Sequence, residues 1–344
     1  SEGYAVFAET TLTKTGRGRS SYVAMLLRTA ALEDKFLNID QAHIMYSDWP
    51  GGNGAYFYGG LFHLFLAERF GKEKVAELHQ FNAAMPIPYF YYPGAYSKFG
   101  SSLPALWEEF RQKVMAEALA VEKELKLKGL TKSREITSYG RNVTGPRYSA
   151  DGKFIIYSRT SPVDGRTVRQ VGRDGSDDKQ LILQTFSRRF SFERDGHAFY
   201  FSQNAINERF NDFNDIYRYT IESESIAKLQ DVDQPGKSLR ARDPDVSSDG
   251  TKLVFVQNKL HQSYVTLGTF TDDKRKMLKL KVLLPAHGDM QHASPRFSPD
   301  DSMVVVSSWF PGGHRDIILV DASTGKILKR ITQENRVALI VTGL

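Results

Sequence analysis

Two histidines and an aspartate fall within six residues at His287-Gly288-Asp289-Met290-Gln291-His292, a grouping that could hold a metal ion on a loop. The spacing fits no common ligand rule, and a polar loop between strands is the simpler reading. Asn211-Asp212-Phe213-Asn214-Asp215 is acidic enough to suggest calcium but lacks the glycine and distal glutamate of an EF-hand loop. Asn214-Asp215-Ile216-Tyr217 reads better as the entry to a strand. Gly236-Lys237-Ser238 ends like a phosphate loop, yet Asp231 stands where the first glycine belongs. No Gly-x-Ser-x-Gly occurs, which argues against an α/β-hydrolase-type serine peptidase within the chain. The eight histidines are His43, His63, His79, His197, His261, His287, His292 and His314, and none is followed by Glu. The chain therefore has no His-Glu-x-x-His helix, the device that supplies two zinc ligands and a general base. It has no cysteine, so disulfides and thiolate zinc sites are excluded.

The elements that would position such residues fall into two parts. The chain has 344 residues, enough for two domains, and its 41% hydrophobic and 25% charged residues are an ordinary globular mix. Its 46 basic and 40 acidic residues leave a net charge of +6, and the cations are scattered. The one cluster, Lys123, Lys126, Lys128, Lys132 and Arg134, falls at a helix end, where the dipole favours cations, so no nucleic-acid partner is expected. No apolar run reaches the ~20 residues of a membrane helix. The nearest, residues 55–67, holds His63.

Residues 1–130 read as an all-helical domain, with a linker at 131–141 and strands over 142–344. Ser20 or Ser21 can cap a helix carrying Val23, Leu26, Leu27 and Ala30. Asn53 can cap a second, over 55–70, which is apolar nearly all round and reads as the buried centre of the domain. A shorter helix presents Val75, Leu78 and Phe81. Ser102, with Pro104 in the first turn, starts a long one whose apolar positions run with helical period from Leu103 to Leu125. Between them, Met85 to Tyr96 contains three prolines and five aromatics (Tyr89, Phe90, Tyr91, Tyr92, Tyr96) and reads as an irregular loop. It could line a peptide groove or simply fill space.

The strand half is built on a repeat. Pro146-Arg147-Tyr148-Ser149-Ala150-Asp151-Gly152 predicts a strand, an Asp-Gly turn and a second strand. The phrase returns as Phe190-Ser191-Phe192-Glu193-Arg194-Asp195-Gly196, as Pro244-Asp245-Val246-Ser247-Ser248-Asp249-Gly250, and as Pro295-Arg296-Phe297-Ser298-Pro299-Asp300-Asp301. The intervals between the aspartates are 44, 54 and 51 residues. Units of that length holding several short strands predict propeller blades. The second unit carries an insertion over 203–214, read as a loop. The terminal run Val337-Ala338-Leu339-Ile340-Val341 suggests a cut within a fifth blade.

The repeated phrase resembles that of the TolB-like β-propeller family, Pro-x-[Phe/Trp]-Ser-Pro-Asp-Gly, over about residues 140–338. The fourth copy matches best, with Asp301 in place of the family's Gly. The expected fold is thus multidomain: a helical domain, then a propeller of four-stranded blades, at least four in this chain and fewer than the six usual in the family. The resemblance implies a protein or peptide partner at the propeller face and loops, and an exported bacterial protein, periplasmic or secreted. The lack of cysteine suits that setting.

Glu2-Gly3-Tyr4-Ala5-Val6-Phe7-Ala8-Glu9 resembles the second zinc-site helix of gluzincin metallopeptidases, and residues 2–125 resemble the helical part downstream of it. The resemblance implies Glu2 as third zinc ligand. Glu9, two turns along the same face, would orient a ligand. Without His-Glu-x-x-His, zinc is expected only if that segment comes from outside the chain. This chain alone is expected to be inactive. It opens in the middle of the motif, so a longer natural protein is expected. The alternative is a non-catalytic protein-interaction scaffold in which the helical domain supports the propeller.

Overall fold

The computed structural model describes the chain apart from residues 1, 14–15, 45–48, 50, 88–91, 140–141, 184–188, 208–209, 260–261, 289, 311–313 and 334–344, and the side chains of residues 92 and 314. Tyr89, Phe90 and Tyr91 of the aromatic stretch, His261, Asp289 and the terminal apolar run lie outside the described residues. The chain forms two compact units, Ser1–Ser133 and Arg134–Leu344.

Among its described residues the first unit holds seven α-helices: α1 (Glu2–Leu12), α2 (Ser21–Leu32), α3 (Ile39–Ala42), α4 (Gly54–Phe70), α5 (Lys72–Ala83), α6 (Tyr92–Phe99) and α7 (Leu103–Lys128). As its all-round apolar sequence requires, α4 lies at the centre, burying Phe57, Tyr58, Phe62 and Leu66. Phe62 and Tyr58 pack against Trp107 of α7, whose indole N–H donates to Leu37 O at 3.1 Å. Helix α1 crosses α4 at glycines. A Cβ on Gly3 would stand 2.5 Å from the Gly59 backbone, and one on Gly60 would stand 2.5 Å from Val6. Two helices can approach this closely only where both surfaces lack side chains. Ser20 and Asn53 take the cap positions expected of them, but neither side chain makes the capping bond, whereas Ser102 Oγ accepts from Ala105 N at 3.2 Å. Two expectations are corrected. The segment before α7 is not irregular throughout, because α6 begins at Tyr92 with Pro93 in its first turn, where the missing N–H costs nothing. The buried residues of α7 also stop at Ala118, and Leu125 is exposed.

Among its described residues the second unit is four sheets, each built on four antiparallel strands in chain order, the arrangement of propeller blades. Blade 1 is β1 (Asn142–Tyr148), β2 (Phe154–Ser161), β3 (Gly165–Gly172) and β4 (Lys179–Leu183); blade 2 is β5 (Phe190–Phe192), β6 (Ala198–Asn207), β7 (Asn211–Thr220) and β8 (Ser225–Lys228). After β9 (Gln230–Asp231), blade 3 is β10 (Ala241–Val246), β11 (Lys252–Lys259), β12 (Gln262–Phe270) and β13 (Met277–Leu284). Blade 4 is β14 (Gln291–Phe297), β15 (Met303–Phe310), β16 (His314–Asp321) and β17 (Ile327–Arg330). The short β9 pairs in parallel with β13 and covers its edge. The second strands of blades 2 and 3 are apolar and buried at consecutive positions because these blades pack on a neighbour at both faces. In β6, Phe199 and Phe201 join Ile156 and Val168 of blade 1, while Tyr200 between them joins Leu253 and Phe255 of blade 3. Val254 then faces Val304 and Val306 of blade 4.

The repeated phrase explains the turns. Ser149, Ser247 and Ser298 each donate to the aspartate two residues on at 2.6 Å. Each serine Oγ also accepts the N–H of Phe154, Lys252 or Met303, at 3.2, 2.9 and 3.0 Å. The serine bond and a backbone N–H hold Asp151, Asp249 and Asp300 below the ordinary carboxyl pKa. Gly152 and Gly250 follow with φ of 70° and 69°, and Asp301 takes φ 58° in the same place. The strain at Asp301 is offset by a link between blades: its carboxylate accepts the Ser248 N–H at 2.9 Å and the Ser248 hydroxyl at 2.6 Å. The leading prolines each follow a register break, at Gly145, Asp243 and Ser294, all with positive φ. Proline suits a bulge, where the ladder needs no N–H.

In blade 2 the serine of the phrase is replaced by Glu193, which is 1% exposed. It accepts from Tyr200 at 2.6 Å and from Arg218 at 2.7 and 2.9 Å, and pairs with Arg275 of the β12–β13 turn at 2.9 Å. Burial raises its pKa, but these donors outweigh burial and the net shift is downward. Glu193→Ala would leave two cations without their counter-ion, an effect of about 3–5 kcal/mol for a broken buried pair. Urea unfolding of the propeller unit should show a loss of that order. A change below about 1 kcal/mol would mean that the network carries no stability.

Candidate functional site

Glu2 stands exposed at the first turn of α1, with no hydrogen bond or ion pair among the described residues. Glu9 is not beside it as an open carboxylate. Its two oxygens take the Arg17 guanidinium at 2.8 and 3.1 Å, and Oε1 also accepts the Arg17 N–H at 2.8 Å. Those bonds lower its pKa and fix the turn Gly16-Arg17-Gly18 against the end of α1. Gly16 adopts φ 113° there, and a Cβ on it would lie 2.7 Å from Thr10.

A pair that spacing alone does not reveal lies beside α1. His63 of α4 and His79 of α5 face each other with Nε2 atoms 2.9 Å apart. His63 Nδ1 is 2.6 Å from Gly59 O, so it carries the proton and donates. Its Nε2 is then a bare acceptor, which takes the Nε2–H of His79. The Tyr4 ring covers His79 at 4.0 Å. Burial, joined at His79 by the neighbouring His63, lowers both pKa values to about 4. Both rings are thus neutral near pH 7. No group of three or more metal-binding side chains occurs among the described residues.

The other predicted constellations have structural uses. His292 is fully buried in β14 and contacts Ser308 Oγ through Nδ1 at 2.9 Å, while His287 is exposed. Asp215 is fully buried and takes Lys228 Nζ at 2.6 Å, Ser238 Oγ at 2.9 Å and the Leu239 N–H at 2.7 Å. That accounts for both the acidic run and the Gly236-Lys237-Ser238 segment without calcium or phosphate. The insertion over 203–214 is corrected: its residues 203–207 and 211–214 are not loop but strand, extending the hairpin β6–β7 in pairs out to Asn207 and Asn211. Alternating Asn and Asp, poor strand formers, concealed it; the cross-strand bond from Asn204 Nδ2 to Asp212 Oδ2, 3.1 Å, supports the extension. Near its tip Ile206 and Phe210 are 80% and 94% exposed.

The residue after the leading proline, variable in the repeat, forms a polar set where the inner strands meet. Asp245 accepts from Ser191 Oγ at 2.9 Å, Arg296 Nη1 at 2.7 Å and the Phe297 N–H at 2.9 Å. Arg147 occupies the same repeat position in blade 1, within electrostatic reach of Arg296, Asp245 and Arg189.

No family model matches the chain, and no curated protein matches it. Among solved structures it is similar to TolB from Acinetobacter baumannii, at 22% identity over 56% of this chain and 44% of that one, with a TM-score of 0.44. It is also similar to a putative TolB from Agrobacterium tumefaciens, at 16% identity over 57% of this chain and 67% of that one, with a TM-score of 0.46. Prolyl oligopeptidase B from Galerina marginata is similar at 16% identity over 55% of this chain and 29% of that one, with a TM-score of 0.37. The chain spans less than half the length of the Acinetobacter protein.

The histidine pair gives the helical unit a pH dependence of defined sign. A histidine whose folded pKa is depressed is protonated more readily in the unfolded chain, so acid favours unfolding. Stability should be flat above pH 6.5 and fall between there and about pH 4. Thermal melts followed by helical ellipticity across that range should show the loss, and His63→Gln/His79→Gln should flatten it. An unchanged profile in the double variant would remove the pair as its cause.

Proposed function

We propose that this chain is a protein-binding scaffold whose propeller unit carries the contact surface. The observation that supports it most directly is the β6–β7 hairpin, which carries Ile206 and Phe210 almost fully exposed near its tip. Large apolar side chains held in water by a paired hairpin act as anchors for a partner's pocket. No described helix is long and apolar enough to cross a membrane. An exported setting, periplasmic or secreted, belongs to the same reading, as does a helical unit that supports the propeller.

A second reading is kept for Glu2, whose carboxylate is exposed and without a hydrogen bond among the described residues, while Gly3 and Val6 beside it are buried against α4. In a longer peptidase-like protein it would serve as one zinc ligand, with the imidazoles and the general base coming from a His-Glu-x-x-His segment outside these residues. Zinc there would polarise the scissile carbonyl and activate water. Glu2 would supply one of its ligands.

Both readings are testable. Chain bearing Phe210→Asp should lose, by at least about tenfold, the partner that the unaltered chain retains in affinity capture from its native extract. Equal retention would end the role assigned to the hairpin. Metal analysis after dialysis against zinc should find well under one equivalent on the chain alone. It should approach one when a His-Glu-x-x-His segment is joined upstream, and fall again on Glu2→Ala. Full retention by that last variant would remove Glu2 from the ligand set.

A further inference from the structure

A cleft of about 570 Å³ opens where the first strands of the four blades meet, lined by Arg147, Phe190, Phe192, Arg296, Phe297 and Leu319 among others. Its walls are mostly apolar, yet two guanidinium groups stand in it. Arg296 is 7% exposed, and only its Nη1 is engaged, with Asp245 Oδ1 at 2.7 Å and Pro244 O at 3.0 Å. Its Nε and Nη2 are buried and have no hydrogen-bond partner among the described residues. These are adjacent N–H groups of one planar fork, the pair that a carboxylate engages with both oxygens. Arg147, half-buried, makes no side-chain hydrogen bond among the described residues. The acidic group of the set, Asp245, already takes three donors from the two neighbouring blades: Ser191 Oγ, Arg296 Nη1 and the Phe297 N–H. Two cations facing one carboxylate leave an excess positive charge in a poorly solvated place. Burial and the neighbouring Arg296 lower the pKa of Arg147, and the Asp245 charge offsets them only in part.

We propose that this cleft binds a carboxylate carried on an apolar body, with the acid on Arg296 and Arg147 and the body against Phe190, Phe192, Phe297 and Leu319. The site deepens the binding role proposed for the propeller, and it fails separately from the hairpin because neither Ile206 nor Phe210 lines it. A chain end with a hydrophobic last residue and a free aryl or alkyl acid share this chemistry. A mineral anion lacks the body, and a neutral amide lacks the charge.

Calorimetry on the 344-residue chain tests it with 4-phenylbutyrate, 4-phenylbutanamide, inorganic phosphate, and a hexapeptide ending in Leu-Phe as free acid and as C-terminal amide. At least one of the two carboxylates should bind, with its amide and phosphate weaker by about tenfold or more. Tighter binding of the peptide acid assigns the site to chain ends; tighter binding of 4-phenylbutyrate assigns it to free acids. Arg147→Met should weaken binding about tenfold with an unchanged melting temperature. Arg296→Lys, which keeps a cation for Asp245 but removes the fork, should do the same. The proposal is overturned if acid and amide bind alike, if phosphate binds as well as both acids, if no probe binds, or if the folded Arg147→Met chain keeps full affinity.

Discussion

Where β5, β10 and β14 come together, one carboxylate accepts hydrogen bonds from both neighbouring blades. Asp245 takes the Ser191 hydroxyl from blade 2, and the Arg296 guanidinium and Phe297 N–H from blade 4. A buried carboxylate is tolerated only when donors replace its water, and these do. The arrangement constrains more than itself. The donors must arrive at fixed angles, so the bulges before Pro244 and Pro295 have to place the residues that follow them in register. The apolar layers between blades are non-directional and would allow sliding. The polar set at the inner strands fixes the register and leaves one guanidinium with donors to spare.

The departures from the repeat follow the same logic. Where the phrase is followed faithfully, serine and aspartate are used up inside their own turn and do nothing for the neighbouring blade. Where it departs, the new side chain reaches outward. Glu193 in place of serine bridges to Arg275 of blade 3, and Asp301 in place of glycine bridges back to Ser248 of the same blade. Each departure exchanges a local turn preference for a bond between blades. In a fold whose sheets share no strand ladder, such bonds add direction to the packing.

This division also explains what could be read from the sequence. The Asp-Gly turns, the blade count among the described residues, and the central burial of α4 rest on local preference and periodicity, so four copies of one phrase and one all-apolar helix were enough. The hairpin extension was hidden because Asn and Asp are poor strand formers that became paired only through partners across the strand. Asp245 and Arg296 stood in plain view at the variable position of the repeat, but their meeting depends on bringing together residues 51 apart. The histidine pair, 16 residues apart on adjacent helices, has no sequence pattern either, since it is set by the closeness of α4 and α5. Glycines at positions 3, 59 and 60 were legible only as gaps in helical preference, until the crossing of α1 over α4 gave them a use.

The same geometry limits the metal chemistry of the helical unit. A zinc ligand set needs several lone pairs turned toward one point. Here two of the unit's three imidazoles have turned toward each other: His63 spends its proton on Gly59 O and its lone pair on the His79 N–H. Opening that pair to a cation would break a short bond and shift a ring that packs under Tyr4. Glu9 is committed to Arg17, and Glu2 alone is one ligand. Any reading that places zinc at α1 must therefore bring its remaining ligands to Glu2 from residues beyond these, and must do so at the exposed start of the helix, where Gly3 already holds the backbone against α4.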